Sequence, residues 1–312
     1  MLNVGNILVK VAWYYYMDNL TQQQIAELLD IPRMRVVKLL SQAKDEGIIQ
    51  FKINQTIEKK VGIENALIDK YSLHDAVVIP VANIENINEC LSKAAASYID
   101  EKAKDGDYIN IGFGRIVSNT LSKLMYNTEK EISFVSLTGG VSYYTSSIIK
   151  GAHYRSSSKT TPNIAIIPAP LLSTTKSGAE AFRSEPSVKE IFKMNSYANM
   201  SVIGIGALTE KATIFKTNIA NENDFQILKM KGAVGDLLSQ FIDVNGNLIK
   251  TDFHDRLITT PLERLKDYQN TIAVSGGEDK FEAITAALRG NYINILITDE
   301  ITAQRLIETK TD

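Results

Sequence analysis

Three glycine-containing segments of the chain have the composition of anion-binding turns. Each follows a short run rich in valine and isoleucine, and glycine lets backbone N–H groups approach an anion closely. After the third segment, Lys280 falls in the first turn of a predicted helix, where a lysine opposes the helix dipole unless an anion is present. The pattern predicts a phosphate site. Its residues are Gly112 and Gly114 in the first segment, Thr138, Gly139, Gly140, Val141 and Ser142 in the second, and Gly276, Gly277 and Lys280 in the third.

Neither of the common nucleotide-binding fingerprints is complete in these segments. No Gly-Lys-Ser/Thr follows at P-loop spacing, and the full glycine pattern of dinucleotide-binding folds is missing. The sequence therefore disfavours nucleoside triphosphates and nicotinamide, and it predicts no cofactor. In the alternative interpretation each glycine pair is only a tight turn, and Lys280 is a solvated surface lysine.

Asp236 is a candidate to accept hydrogen bonds from the hydroxyl groups of a polyol. Its alternative role is to cap the helix that follows it. Cys90 is the only cysteine, which excludes an intrachain disulfide and a cysteine-based zinc site. No metal-ligand or catalytic-triad spacing connects the three histidines, which we interpret as structural: His74, His153 and His254.

The elements that position these residues alternate between buried strands and helices. Such alternation predicts an α/β fold with a mostly parallel, doubly wound sheet, in which ligands bind beyond the carboxyl ends of the strands. The span from Leu171 to Ser196, with its Ser and Thr run, is predicted to form loops over the sheet. The predicted strands are 76–79, 108–111, 132–137, 164–167, 201–205, 271–274 and 293–297, and the predicted helices include 87–103, 117–125, 281–288 and 301–307.

Residues 20–49 have the pattern of a helix-turn-helix. Thr21 and Gln24 are spaced as a capping box, and Ile25, Leu28 and Leu29 give the first helix an apolar face. Asp30-Ile31-Pro32 ends that helix, because proline disfavours the helical conformation in the residue before it.

The second helix is basic, as a helix that reads the major groove must be. No acidic residue occurs between Ile31 and Lys44, and the segment contains Arg33, Arg35 and Lys38. Met34, Val37, Leu40 and Ala43 are predicted to share its apolar side. The helix is predicted to end at Gly47, and Ile49, Phe51 and Ile53 alternate as a small wing strand would.

Length and composition bound the remaining possibilities. The 312 residues exceed one typical core, so we expect two domains, residues 1–54 and residues 55–312. Hydrophobic residues make up 44%, yet no segment approaches the roughly 20 apolar residues of a membrane span, and a cytoplasmic location is expected. The net charge of −2 gives no general attraction to DNA, so DNA binding must depend on the local basic helix.

The chain resembles the SorC family of transcriptional regulators over nearly its whole length. Those regulators join a helix-turn-helix to a sugar- or phosphosugar-binding domain. Within the family, the likeness is greatest to the Lsr type, which responds to phosphorylated autoinducer-2, a quorum-sensing signal. The likeness is carried by the runs at 11–16, 20–26, 35–40, 111–114, 137–141, 166–170, 232–236, 276–280, 290–294 and 298–299.

The resemblance implies a large domain with the fold of phosphosugar isomerases, acting as a sensor within a tetramer. It implies that Asp236 and Lys280 contact the effector and that the Thr138–Ser142 loop helps to hold its phosphate. Two departures are Pro32, where many members have serine, and Arg115, an added cation after the Gly-Phe-Gly turn. The predicted DNA contacts are Thr21, Gln22, Arg33, Arg35 and Lys38. Independently of the resemblance, Tyr15 and Tyr16 are predicted as secondary contacts to phosphates.

Three functions are compatible with these sequence features. The leading hypothesis is a repressor whose affinity for operator DNA is set by a phosphorylated sugar-like effector, without enzymatic activity. The alternative is a phosphosugar isomerase- or deaminase-like enzyme with a DNA-binding arm, for which Asp236, Asp299 and Glu300 are the candidate bases. A third is a scaffold whose N-terminal helices only oligomerise, and Val4–Ala12 is the candidate oligomer surface. The basic second helix disfavours this third function.

Overall fold

The computed structural model describes residues 7–49, 57–80, 84–141, 144, 163–210 and 212–309. The chain divides into two compact units, Met1–Thr56 and Ile57–Asp312. Ser142, His153, Val4, Phe51 and Ile53 lie outside the described residues, so the predictions made for them are not addressed by the structure.

The described part of the N-terminal unit, residues 7–49, contains three helices, α1 (Ile7–Tyr16), α2 (Gln22–Leu29) and α3 (Arg33–Asp45). The capping box predicted at the start of α2 is confirmed. Thr21 N donates to Gln24 Oε1 at 2.9 Å, and Gln24 N donates to Thr21 Oγ1 at 3.3 Å. Asp30 adopts a left-handed conformation with φ 51° and ends α2, and Pro32 precedes α3 without a side-chain cap.

The buried face of α3 differs from the predicted one. Val36, Leu40 and Ala43 are buried, whereas Met34 is 66% exposed, so its predicted place on the apolar side was wrong. Leu28 of α2 is likewise 58% exposed. The reason is helical phase: packing against Val11 and Ile25 fixes α3 with Val36 and Leu40 inward, which turns Met34 outward.

The C-terminal unit is built on a parallel sheet of the order β1-β9-β8-β5-β2-β3-β4, which confirms the predicted doubly wound α/β fold. A two-stranded antiparallel extension, β6–β7, pairs with the end of β5. The strands are β1 (Asp75–Ile79), β2 (Tyr108–Ile111), β3 (Ser133–Ser136), β4 (Ile164–Ala165), β5 (Met200–Ala207), β6 (Gly235–Leu237), β7 (Gln240–Ile242), β8 (Thr271–Val274) and β9 (Ile295–Asp299).

Helices cover both faces of this sheet. Alternate residues of one strand pack into opposite cores, because successive side chains of a strand point to opposite faces. Leu296 lies in the core on one face of the sheet, and Ile295 and Ile297 lie in the core on the other face. The helices are α4 (Ile57–Tyr71), α5 (Ile87–Lys102), α6 (Arg115–Asn127), α7 (Lys176–Ser184), α8 (Pro186–Met194), α9 (Thr213–Lys216), α10 (Glu222–Met230), α11 (Asp252–Asp255), α12 (Phe281–Arg289) and α13 (Glu300–Glu308).

The span predicted as loops, 171–196, contains α7 and α8, and that prediction was wrong. Thr175 ends the Ser and Thr run and caps α7, since its hydroxyl accepts a hydrogen bond from Gly178 N at 3.0 Å. Pro186 occupies the first turn of α8, where proline is well tolerated. Both signals are local and short, so they did not stand out from the surrounding polar residues.

The first and last helices of the C-terminal unit are joined at their ends. Lys70 Nζ donates to the carbonyl oxygens of Leu306 and Ile307, each at 2.8 Å, and also bonds Thr309 O. Tyr71 OH donates to Leu306 O at 2.9 Å. A cation at this position satisfies the free carbonyl groups that end α13.

Candidate effector and DNA-binding sites

The predicted effector segments lie at one edge of the sheet. The chain reverses its direction of strand addition between β2 and β5, and ligands of open α/β sheets bind at such a switch point. Gly112 and Gly114 follow β2, and Asp236 pairs with the end of β5. The Gly276-Gly277 turn follows β8, and Thr138 follows β3. Since β8, β5, β2 and β3 are consecutive neighbours, these segments meet at the same carboxyl edge.

Asp236 lies in β6, directly opposite Gly206 of β5. It therefore does not cap a helix, and that alternative was wrong. Ser239 N donates to Asp236 Oδ2 at 3.1 Å. Desolvation by the surrounding protein is the largest effect and raises the pKa of Asp236 to about 6, against the opposing influence of the Ser239 N–H and of Lys280.

Lys280 ends a short 3₁₀ turn, Glu278–Lys280, just before α12. Its side chain is partly buried, and desolvation lowers the pKa of its ammonium group. Asp279 and Asp236 raise that pKa, whereas the positive charge of Arg115 lowers it further. Lys280 is therefore within electrostatic reach of both Asp236 and Arg115. The three residues come from three different segments of the chain. Two cations and a carboxylate facing one edge suit a ligand with both an anionic and a hydroxyl part.

The Gly276-Gly277 turn that carries Lys280 is fixed by Asp299. Gly277 N donates to Asp299 Oδ2 at 2.9 Å and to Thr302 Oγ1 at 3.0 Å. A side chain at position 276 would overlap Asp299 Oδ2, so the close approach requires glycine there. Asp299 also caps α13 by accepting from Thr302 N at 3.0 Å and from Thr302 Oγ1 at 2.6 Å.

The sequence suggests Asp299 only as a candidate base, and this supporting role was not predicted. The residue ends a strand and precedes a helix in the sequence, which is the signal that identifies a capping aspartate. Because both carboxyl oxygens of Asp299 are occupied and the residue is buried, it is not placed to take a proton from a ligand.

The first glycine segment places the cation Arg115 and the free backbone N–H groups of α6 together at the start of that helix. Gly112 N donates to Val202 O at 2.8 Å, and a side chain at position 112 would come within 2.9 Å of Leu238 Cδ2. Gly114 has φ 128° and directly precedes the exposed Arg115. The first N–H groups of α6 have no partner within their own helix and point toward this edge, since the helix starts there.

The donors of the second glycine segment are turned into the protein. Gly139 N donates to Ile258 O at 2.8 Å, and Gly140 N donates to Ala169 O at 2.9 Å. The hydroxyl of the fully buried Thr138 lies 2.8 Å from Tyr144 OH. Val141 is 40% exposed, and the phosphate contact predicted for this segment stays a prediction.

In the N-terminal unit, the predicted DNA contacts fall into two groups. Arg33, Arg35 and Lys38 are exposed on α3. Thr21 uses its hydroxyl in the cap of α2, and Gln22 is partly buried at the start of that helix. Tyr15 and Tyr16 are partly buried against the helical core, with ring centroids 4.8 Å apart in an edge-to-face arrangement.

Comparison with known proteins decides the family. Residues 55–308 match the family described as "Putative sugar-binding domain". The transcriptional regulator LsrR of Klebsiella pneumoniae is 32% identical over 305 residues, covering 96% of this chain and 92% of its own. The LsrR of Escherichia coli K12 is 33% identical over 306 residues, covering 97% and 94%. The chain belongs to the SorC family of transcriptional regulators. This confirms the resemblance and the function as a regulator with a sugar-binding domain.

Solved structures of SorC-type regulators share the fold. The full-length sorbitol operon regulator SorC from Klebsiella pneumoniae superposes with a TM-score of 0.72 at 24% identity, covering 96% of this chain and 97% of SorC. A DeoR family transcriptional regulator from Listeria monocytogenes gives 0.71 at 21% identity, covering 79% and 99%. Among the helices of the described residues, none is long and apolar enough to cross a membrane, and no three acidic, His or Cys side chains there are grouped to hold a metal ion.

Proposed function

We propose that this SorC-family regulator is a repressor that releases or rearranges on operator DNA when a phosphorylated sugar-like effector binds at the carboxyl edge of its sheet. The observation that carries the proposal is the grouping of Lys280, Arg115 and Asp236 at the topological switch point. Residues 1–54 bind DNA, and residues 55–312 bind the effector and form a tetramer, or dimer of dimers.

The chemistry of the three side chains divides the effector into two parts. Lys280 and Arg115 bind the phosphate, because the positive charge of Arg115 disfavours the charged form of Lys280 and a dianion between the two groups offsets that repulsion. Asp236 accepts hydrogen bonds from the hydroxyl groups of the sugar-like part. The relatives named LsrR make phosphorylated autoinducer-2 the first effector to test.

The N-terminal unit supplies the DNA contacts through α3. Its first turn contains two arginines and no acidic residue, and Lys38 follows one turn later. An effector switches such a protein only by binding its two states unequally. Moving the population from about 99% to about 1% DNA-competent takes roughly 10⁴-fold preference, near 5.5 kcal/mol, which the sites of a tetramer share.

The test is a thermal-shift screen with pairs of phosphorylated and unphosphorylated sugars, polyols and autoinducer-2. A ligand that binds only the folded state raises the melting temperature with its concentration. We expect at least one phosphorylated compound to shift the melting temperature and its unphosphorylated partner to cause no shift. The same phosphorylated compound should weaken DNA binding in a gel-shift assay. A shift without any effect on DNA binding contradicts the regulatory part of the proposal.

One observation favours a second function, a phosphosugar isomerase- or deaminase-like activity. A carboxylate whose pKa is about 6, next to a lysine in a ligand site, has the properties of a general base. Incubation of the purified chain with the compound that shifts its melting temperature, followed by mass spectrometry and NMR, decides between the two. Unchanged compound after many hours leaves Asp236 as a binding residue of a regulator without enzymatic activity.

A further inference from the structure

Met34 has a position on α3 that its apolar character does not explain. It is 66% exposed, whereas Val36, Leu40 and Ala43 of the same helix are buried. An α-helix turns by about 100° per residue, so the direction opposite to the buried three lies within roughly 30° of both Met34 and Lys38. Arg35 lies roughly 75° from that direction and Arg33 more than about 120° from it. Met34 and Lys38 therefore occupy the centre of the exposed face, one turn apart.

The end of the helix on which Met34 lies is the one that reads DNA in helix-turn-helix proteins. The N-terminal residues of the second helix contact base edges in the major groove. Met34 is the second residue of α3, and the chain before it is extended at Pro32, so no capping side chain covers this end. The helix has no acidic residue in its first turn to oppose the approach of DNA.

The groove offers one apolar group to such a side chain, the C5-methyl group of thymine. An unbranched thioether is flexible and polarizable, and it fills irregular apolar gaps well. We infer that Met34 is a specificity-determining residue, which contacts a thymine methyl group in each operator half-site between the charged contacts of α3. This inference rests on the proposed binding of DNA through α3 and adds which base one side chain selects.

The test removes the methyl group from the DNA and the thioether from the protein, separately and together. Duplexes that bind the full chain are selected from a random library, and each thymine of the selected sequence is replaced in turn by uracil, which differs only by that methyl group. Affinities are measured for the wild-type chain, Met34→Ala and Met17→Ala. Met17 is the matched control, because it is a 62% exposed methionine of the same unit outside α3.

We expect the wild type and Met17→Ala to lose roughly three- to five-fold in affinity at one thymine per half-site on replacement by uracil. Met34→Ala should bind the two duplexes equally at that position and otherwise retain its melting temperature, since Met34 is exposed. A wild type without any uracil effect overturns the inference. The inference is also overturned if replacement of thymine by uracil lowers the affinity of the wild type and of Met34→Ala by the same factor at every position.

Failure of the underlying DNA-binding proposal gives a different result. Lys38→Ala and Arg35→Ala are measured on the same duplex over a range of salt concentrations. If both bind as tightly as the wild type and with the same salt dependence, α3 is not the DNA-binding surface. If they bind more weakly while the uracil effect is independent of Met34, α3 binds DNA and only the role of Met34 is wrong.

Discussion

Asp236 lies directly opposite Gly206 in the antiparallel pairing of β5 with β6, and a side chain at position 206 would overlap its Oδ1 atom. The carboxylate thus occupies the space that any other residue type would fill. Its environment disfavours the charged form, since burial raises its pKa to about 6. Position 206 and Asp236 form one structural unit, and the proposed effector site depends on both.

Replacement of Gly206 by Ala is expected to abolish the effector response by displacing Asp236. Overpacking of this kind costs roughly 1–3 kcal/mol, so the variant should still fold with a lowered melting temperature. The matched control is Gly62→Ala, since a Cβ at position 62 of α4 meets no atom within 4 Å. That change should stabilise the chain by up to about 1 kcal/mol. An effector-induced thermal shift that persists in Gly206→Ala contradicts the role given to Asp236.

Replacement of Lys280 by Ala is expected to leave DNA affinity unchanged and to abolish the effector response. The ammonium group is partly buried near Asp236 and Arg115, so its loss removes one of two cations that bind the phosphate. Gel shifts with and without the effector measure both properties in one experiment. Lys231→Ala is a suitable control, because Lys231 is exposed and its Nζ bonds only Lys250 O at 2.7 Å among the described residues. A normal response in Lys280→Ala would mean that the phosphate binds elsewhere.

Effector affinity is expected to fall as the pH drops below about 6, where Asp236 takes up a proton, loses its charge and accepts hydrogen bonds less strongly. The phosphate of the effector titrates near the same pH, so the informative quantity is the difference between the wild type and Asp236→Asn. Isothermal titration between pH 5 and pH 8 measures both. The proposal fails if the two chains have parallel pH profiles and equal affinities at pH 8.

Asp236→Asn is also expected to stabilise the unliganded protein at neutral pH. The folded-state pKa is raised above the unfolded value, so Asp236 favours the folded state below about pH 4, and this stability is lost as the pH rises through about 6. At pH 7 the cost is on the order of 3 kcal/mol, which asparagine removes. Chemical denaturation at pH 7 and at pH 4.5 should show a large difference between the chains only at the higher pH. Equal stability at pH 7 would show that the carboxylate is not desolvated.

His254 is expected to destabilise the protein as the pH falls, whereas Asp236 destabilises it as the pH rises. Phe241 N donates to its Nε2 at 2.9 Å, and desolvation lowers its pKa to about 4. The contribution of neutral His254 to the free energy of unfolding is fully present above about pH 6.5 and is lost as the pH falls through about 4. The loss amounts to at most roughly 3 kcal/mol. His254→Gln, measured by denaturation from pH 7 to pH 4, should show a smaller loss than the wild type. A wild-type profile that matches the variant would show that His254 is not the group responsible.

Local patterns in the sequence predicted the elements well because the physics that forms them is local. The Thr21–Gln24 capping box and the strand at 271–274 depend on residues within a few positions of each other, and both are confirmed. The meeting of the glycine segments at one edge also followed from the sequence, since parallel strands bring their carboxyl ends together.

The misplaced residues depend on distant partners or on unusual turn residues. The alternative role of Asp236 as a helix cap was wrong, because the chain after Asp236 forms the β6–β7 hairpin. That hairpin turns through Leu238 and Ser239, with φ values of 52° and 64°. Such turns favour Asn-Gly or Gly-Gly, so Leu-Ser gives no hairpin signal. The N–H of Gly139 is bonded by Ile258, more than a hundred residues away, which no local pattern reveals. The exposure of Met34 likewise depends on which face of α3 the other two helices cover.

The contacts of Lys70 and Tyr71 with the end of α13 make that helix part of a continuous series of hydrogen bonds. The turn that carries Lys280 is bonded to the start of α13 through Asp299, and the other end of α13 is held by the last turn of α4. The first residue of α4 follows directly on the N-terminal unit, about 20 Å along the helix from Lys70. A ligand that displaces Gly277 therefore strains hydrogen bonds that lead to α4, the helix whose first residue is covalently joined to the N-terminal unit.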